Sequence, residues 1–267
     1  MKSSWMVILL AGWTATAMAA APEWEGRLTA DKPAGLPPLA PTELTYSLSW
    51  RGMVEAGKFT LKLGKKDPSY PGFYVASAVG SSKGVAATLF PYEFSFTSLL
   101  DSRTRQPLKF IANEKDRDGT VVTTAVFTRT GVNSSEVETL AGSTTSKTQT
   151  RALSYPDVRD LFSTLLFVRS QKLDPGDSVV VVSHPTNRGQ LITVRVLGRE
   201  KAAGQNAIKL SVEMERIQED LTLKPYTKMK SATLWLSDDA NRLPLELRAE
   251  VFIGDVRMTL KSWSMER

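Results

Sequence analysis

The sequence predicts an all-β, mainly antiparallel fold: a strongly curved sheet, open barrel or sandwich, with one packed α-helix near 156–169. Three observations carry this. From Thr42 onward, segment after segment alternates apolar with polar residues, the period of a strand with one buried face. Turn-forming residues separate these segments at intervals of about 8–12 residues, the spacing of a large β domain. A single stretch departs to a helical period.

The elements follow in order. Residues 1–19 read as a secretory signal: Lys2 is the positive region, Trp5 to Trp13 is apolar and uncharged, and Ala17-Met18-Ala19 fits the cleavage rule. The apolar core is shorter than the roughly 20 residues that span a bilayer, which favours a cleaved signal over an uncleaved anchor; no second apolar run of membrane length follows, so no membrane span is expected after signal removal. Residues 20–41 hold five prolines, which fix φ and remove backbone donors; this stretch is expected to be an extended linker. The remainder, 42–267, is expected to be one β-rich domain, because no linker-like composition occurs after Pro41.

Leu44, Tyr46, Leu48 and Trp50 mark the first strand, and Phe59, Leu61 and Leu63 the second. Strands are expected over 73–79, 92–100, 107–113 and 120–129, the last two joined by the hairpin signal Asp118-Gly119. Two short polar strands follow, over 136–140 and 144–153. Pro156 to Arg169 then spaces Val158, Leu161, Phe162, Leu165, Leu166 and Val168 near 3.6 residues, with Pro156 and the acids at the start and Arg169 at the end. Strands resume over 179–183, 190–199, 207–216, 231–236, 243–253 and 256–263.

Composition excludes much chemistry. The 267 residues include no Cys and one His, so thiolate catalysis, disulfides and multi-histidine metal sites are ruled out within one chain. The formal charge is +6 and is not gathered into a basic stripe, so nucleic acid is not an expected partner. His184 lies in a turn-forming stretch before Pro185 and reads as a turn-tip histidine, with no G-x-S-x-G motif to serve. Residues 113–119 have the acids of a calcium loop, but Lys115 and Arg117 interleave them, so a hairpin tip is the better reading. Asp238-Asp239 reads as a turn rather than paired catalytic carboxylates. Residues 219–230 place Lys224, Lys228 and Lys230 around Tyr226 and Met229; the segment reads as a solvated loop, with contact to an anionic head group as the alternative.

The apolar residues are more suggestive. Phe90, Tyr92, Phe94 and Phe96 alternate along one segment, and Trp50, Trp235 and Trp263 lie in or at the end of others. A curved sheet crossed by a helix can enclose an apolar groove. Trp50, Phe94, Phe96, Leu165 and Trp235 are the candidate lining; no catalytic, cofactor-binding or metal-binding residue is assigned.

Three groups of residues, in this order, carry a family resemblance: Glu43 to Trp50 with Gly52 and Ala56-Gly57; Leu165 to Arg169 leading into Leu173-Asp174-Pro175-Gly176-Asp177; and Leu234 to Asp239 with Leu243-Pro244-Leu245. The chain resembles the bacterial envelope family catalogued as domain of unknown function 3108, over about Thr42 to Trp263. The resemblance implies a periplasmic, mostly antiparallel β protein without an assigned activity, and supplies no catalytic residues. The expected function is therefore that of an exported, non-enzymatic envelope protein that binds a lipid or lipidated protein. Docking of another envelope protein on a sheet edge is the alternative, and a hydrolase using carboxylates such as Glu114 or Asp238 ranks third.

Overall fold

The computed structural model describes residues 21–30, 40–251 and 254–266. The expected signal peptide, 1–19, lies outside the described residues. The strands are β1 (Thr42–Trp50), β2 (Val54–Lys66), β3 (Phe73–Ser82), β4 (Tyr92–Asp101), β5 (Pro107–Asp116), β6 (Gly119–Thr128), β7 (Gly131–Leu140), β8 (Lys147–Leu153), β9 (Ser178–Ser183), β10 (Gln190–Ala202), β11 (Gln205–Ile217), β12 (Leu223–Pro225), β13 (Met229–Ser237), β14 (Pro244–Val251) and β15 (Gly254–Met265). Among the described residues two α-helices accompany them, α1 (Gly84–Leu89) and α2 (Leu161–Ser170).

All fifteen strands belong to one antiparallel sheet, in the order β8-β7-β6-β5-β4-β3-β2-β1-β15-β14-β13-β11-β10-β9, with β12 beside β11. A single continuous sheet sets aside the two-sheet sandwich and agrees with the expected curved all-β architecture. The meander from β1 to β8 runs one way and the strands from β15 to β9 run the other. They join where the first strand pairs the last, with Leu48 opposite both Gly57 of β2 and Met258 of β15.

Helix α2 begins at Leu161 rather than Pro156. The cause is a capping box. Asp160 has extended backbone, its carboxylate accepts from Ser163 N at 2.7 Å, and Ser163 Oγ accepts from Asp160 N at 2.8 Å. The residues before it cannot be helical because Arg159 bridges β9: its N–H donates to Val182 O at 3.0 Å and its carbonyl accepts from His184 N at 2.7 Å. Helix α1, six residues long with no side-chain cap, is too short for its period to be read in the sequence. It moves Phe90 off the expected strand and onto the helix end.

The sheet curls about α2. Phe162 and Leu166 pack in one cluster with Leu44, Tyr46, Phe110 and Leu245. Phe167 and Val168 pack in a second with Val194, Ile208, Leu210 and Leu236. The helix thus covers the inner face of both halves of the sheet, which burial of its apolar surface requires.

The proline-rich stretch 20–41 contains a packed segment. Trp24 is 2% exposed, tilts against the Tyr155 ring at 4.7 Å, and donates from Nε1 to Leu221 O at 2.7 Å. Thr29 N donates to Val180 O and Thr29 Oγ1 accepts from Val180 N, both at 2.9 Å. These bonds occupy the outer side of β9, a sheet edge that is otherwise a template for another strand.

Candidate functional site

The inner face carries two continuous apolar rows. Register partners place Trp50, Val256, Ala249, Ala232 and Val212 in line from β1 to β11. Two residues deeper, Leu48, Met258, Leu247, Leu234 and Leu210 form a parallel line. Direct partners in an antiparallel sheet share a face. Leu210 is fully buried with Phe167 and Val168 of α2, which makes this the face the helix covers. Away from the helix the cover runs out: Leu48, Trp50, Val212, Leu234, Leu247, Val256 and Met258 are only half-buried.

The other half of the sheet continues the surface. Tyr46, Phe59, Gly80 and Phe94 are successive register partners. Tyr46 stacks on Phe59 with centroids 4.7 Å apart. From Tyr92 the rings of Phe94, Phe96, Phe110 and Phe162 follow at spacings of 5.8, 4.8, 6.0 and 6.2 Å. This chain of aromatics leads from the surface to the helix. Phe59, Phe94 and Phe96 are half-buried against the core. At the open end, Trp50 meets Phe90 edge-on at 6.2 Å. Met53 and Val54 in and after the β1–β2 turn, and Val85 and Leu89 on α1, are exposed there. The opposite side of β2–β6 bears a groove of about 830 Å³, lined by Lys58, Val79, Glu93, Lys115 and Val122 among others.

Of the five expected lining residues, Phe94, Phe96 and Leu165 pack against one cluster, and Trp50 stands at the rim. Trp235 is a buried member of that cluster but does not share their open surface. Its register partner is Lys209, while Leu236 on the other face partners Ile208. Its ring is 3% exposed, under Arg248 at 4.7 Å and Lys209 at 5.8 Å, and Nε1 donates to Glu200 Oε1 at 2.8 Å. Sequence reasoning missed Leu48, Leu247 and Met258, although their alternation is present; only the register aligns them.

The expected ionisable candidates are engaged separately. Glu114 accepts from the Tyr92 hydroxyl; burial first, then this carboxylate, raises the tyrosine's pKa. Asp238 accepts from Arg199 Nε at 3.0 Å, and Asp239 Oδ1 caps its turn through Asn241 N and Arg242 N at 2.9 and 3.0 Å. Asp116 does the same for Asp118 N and Gly119 N at 2.8 and 3.0 Å, a hairpin tip as expected. Each of these carboxylates is thus engaged in a bond to a neighbouring side chain or turn. Among the described residues, no group of three His, Asp or Glu is placed to hold a metal ion.

His184 corrects the turn-tip reading. It is 1% exposed, its ring meets Phe127 edge-on at 6.5 Å, and Nε2 lies 3.4 Å from Ser134 Oγ. The Ser134 hydroxyl also donates to Asn187 Oδ1 at 2.6 Å. Burial lowers the pKa of His184 to about 4, so the ring is neutral at pH 7.

A curled antiparallel sheet wrapped on one helix, open at one end onto apolar side chains, defines a β-barrel-like protein. The chain belongs to the family described as "Protein of unknown function (DUF3108)", matched over residues 45–261. The segments carrying that resemblance lie close in space: Tyr46 OH donates to Pro244 O at 2.7 Å, and Arg242, just before Leu243, donates from Nη1 to Arg169 O at 2.8 Å. A beta-barrel-like protein of domain of unknown function DUF1849 from Brucella abortus has a similar fold, with TM-score 0.55 and 10% identity over 85% of this chain and 98% of that one. A Bacteroides fragilis protein with a YmcC-like fold aligns at TM-score 0.30 and 10% identity, over 86% and 98% of the two chains. No curated protein matches the chain. Among the described residues, no helix is long and apolar enough to cross a membrane.

Proposed function

We propose that this is an exported, non-enzymatic cell-envelope protein that binds an apolar or amphipathic ligand, a lipid or a lipidated protein, on its inner face. One observation carries the reading: two register-aligned apolar rows, Trp50 to Val212 and Leu48 to Leu210, lie on the face whose deeper part α2 covers, and all their members except Ala232 and Leu210 are only half-buried. Burying such side chains against an acyl chain gains roughly 25 cal/mol per Å² of apolar surface. The apolar stretch and cleavage site at residues 1–19 support export.

Native mass spectrometry of the protein purified from its own envelope, followed by organic extraction, tests this. A reproducible added mass that extracts as lipid is expected. Leu48→Asp and Met258→Asp should each weaken uptake of a fluorescent fatty acid by about tenfold or more, since a charge on the apolar face must be desolvated. A bare mass together with no uptake of added lipid overturns the proposal.

The sheet edge supports the second reading. β8 ends the strand order and pairs only β7, whereas β9 is covered by Thr29 and Arg159. Crosslinking in cells to an envelope protein through β8, with no bound lipid, favours that reading.

A further inference from the structure

The two ends of the sheet meet at a seam that contains a pocket of about 410 Å³. Its walls come from β8, the β9–β10 turn, β11 and the segment entering β12. Arg151, Arg188, Arg216 and Lys224 line it. These four cations come from four separate stretches of chain, so their convergence is a product of the fold.

The arrangement is unfavourable in isolation. Arg216 and Lys224 are direct register partners of β11 and β12, and like charges opposite each other destabilise a sheet. Partial desolvation of the otherwise exposed Arg188, and then the charges of Arg151 and Arg216, lower its pKa, while Glu136 acts the other way. Among the described residues, Arg151, Arg188 and Arg216 form no salt bridge. Arg151 Nη2 donates to Gln149 Oε1 at 3.0 Å, but its Nε is buried with no acceptor. Two acids also line the pocket, Glu219 and Asp220. Asp220 accepts from Thr222 N and Oγ1 at 3.0 and 2.6 Å and also attracts Lys224, which leaves the three arginines without a bonded acid among the described residues.

We infer that the seam pocket binds a phosphoryl group, held by the guanidinium groups of Arg151, Arg188 and Arg216 with Lys224 at its edge. Arginine presents paired N–H donors that match phosphate oxygens. A phosphate there offsets the crowded charge. The phosphoryl group belongs either to a free phosphate compound or to a lipid headgroup. The inference stands independently of the apolar face.

The test is calorimetric titration of the protein with inorganic phosphate and pyrophosphate at about 150 mM salt, where non-specific attraction is screened. Flotation with phosphatidylglycerol vesicles, against phosphatidylcholine vesicles, runs beside it. Binding to either source, weakened roughly tenfold or more in Arg188→Ala and Arg216→Ala, is the expected result. Binding of the soluble anions indicates a free phosphate compound; binding of the phosphatidylglycerol vesicles alone indicates a headgroup. Arg188 is exposed, so its truncation leaves the fold intact, which an unchanged melting temperature verifies. No binding of either source above the phosphatidylcholine and chloride background overturns the inference. So does binding that both variants retain at full strength.

Discussion

His184 Nε2 lies 3.4 Å from Ser134 Oγ and joins the turn after β9 to β7, although these strands stand near opposite ends of the sheet order. The contact is buried: His184 is 1% and Ser134 4% exposed. It couples closure of the seam to the protonation of one side chain.

That coupling predicts an acid-sensitive fold. The pKa of His184 falls from 6.5 to about 4 on folding, mainly through burial, with Arg151 adding repulsion. The unfolded chain therefore binds the proton more readily. Stability is full above about pH 6.5 and is lost as the pH falls from there toward about 4. The gap corresponds to roughly 3 kcal/mol. Asp160 acts oppositely, because burial raises its pKa. The measurement is thus a comparison: urea melts of wild type and His184→Gln at pH 7.5 and 5. The variant's stability should change less between the two, and equal slopes would count against the buried neutral imidazole.

A second prediction concerns Asp160, which is fully buried and accepts from Ser163 N at 2.7 Å and from the Ser98 hydroxyl. Asp160→Ala removes the cap of α2 and leaves a serine hydroxyl on β4 without its acceptor. It should lower unfolding stability by about 2–4 kcal/mol. Asp160→Asn keeps an acceptor and should cost less. Chemical denaturation of the pair checks the order.

The sequence is most legible where one face of a strand is buried, because alternation then records the fold directly. It is least legible where long-range contact decides. The rule for a helix start seeks Glu or Gln three residues after the cap; here Ser163 takes that place, so the periodic run draws the boundary back to Pro156. Trp235 is apolar, yet it alternates with Thr233 and Ser237 rather than with Ala232, Leu234 and Leu236, and so lies on the face bearing Lys209. An apolar side chain alone does not tell which face it takes; its neighbours two residues away do. His184 sits in turn chemistry and is buried only because β6 and β7 arrive from 50 or more residues away. Arg151, Arg188 and Arg216 are scattered singly along the chain, so no window of sequence marks their pocket.

Trp24 shows the same limit and gives a third prediction. Proline dominates the composition around it, but its ring fills a site against Tyr155 and its indole N–H satisfies Leu221 O. Trp24→Ala should cost about 3–5 kcal/mol, the range for a deleted buried aromatic. It should also speed amide exchange at Val180, whose N–H donates to Thr29 Oγ1. Exchange unchanged at Val180 would mean that the 21–30 segment does not hold the β9 edge.

The last prediction tests how tightly the aromatic surface is built. Gly80 lies between Phe59 and Phe94 as a register partner of both. A Cβ there would collide with the Phe59 Cβ and stand 2.8 Å from both Lys58 O and Phe94 Cε1. The Lys58 carbonyl belongs to a paired strand and cannot move aside without disturbing the β2–β3 ladder, so rotation of the phenyl ring alone does not relieve the clash. Gly80→Ala should therefore cost about 1–3 kcal/mol, as overpacking does. Gly26, where an added methyl would meet nothing within 4 Å, supplies the control: Gly26→Ala should stay within about 0.5 kcal/mol of wild type. If the inner face also takes up an acyl chain, the displaced rings of Gly80→Ala should weaken uptake of a fluorescent fatty acid, whereas Gly26→Ala should leave it unchanged. Equal stability of the two variants would show that Phe59 and Phe94 are free to separate, and would make the aromatic surface adaptable rather than preformed.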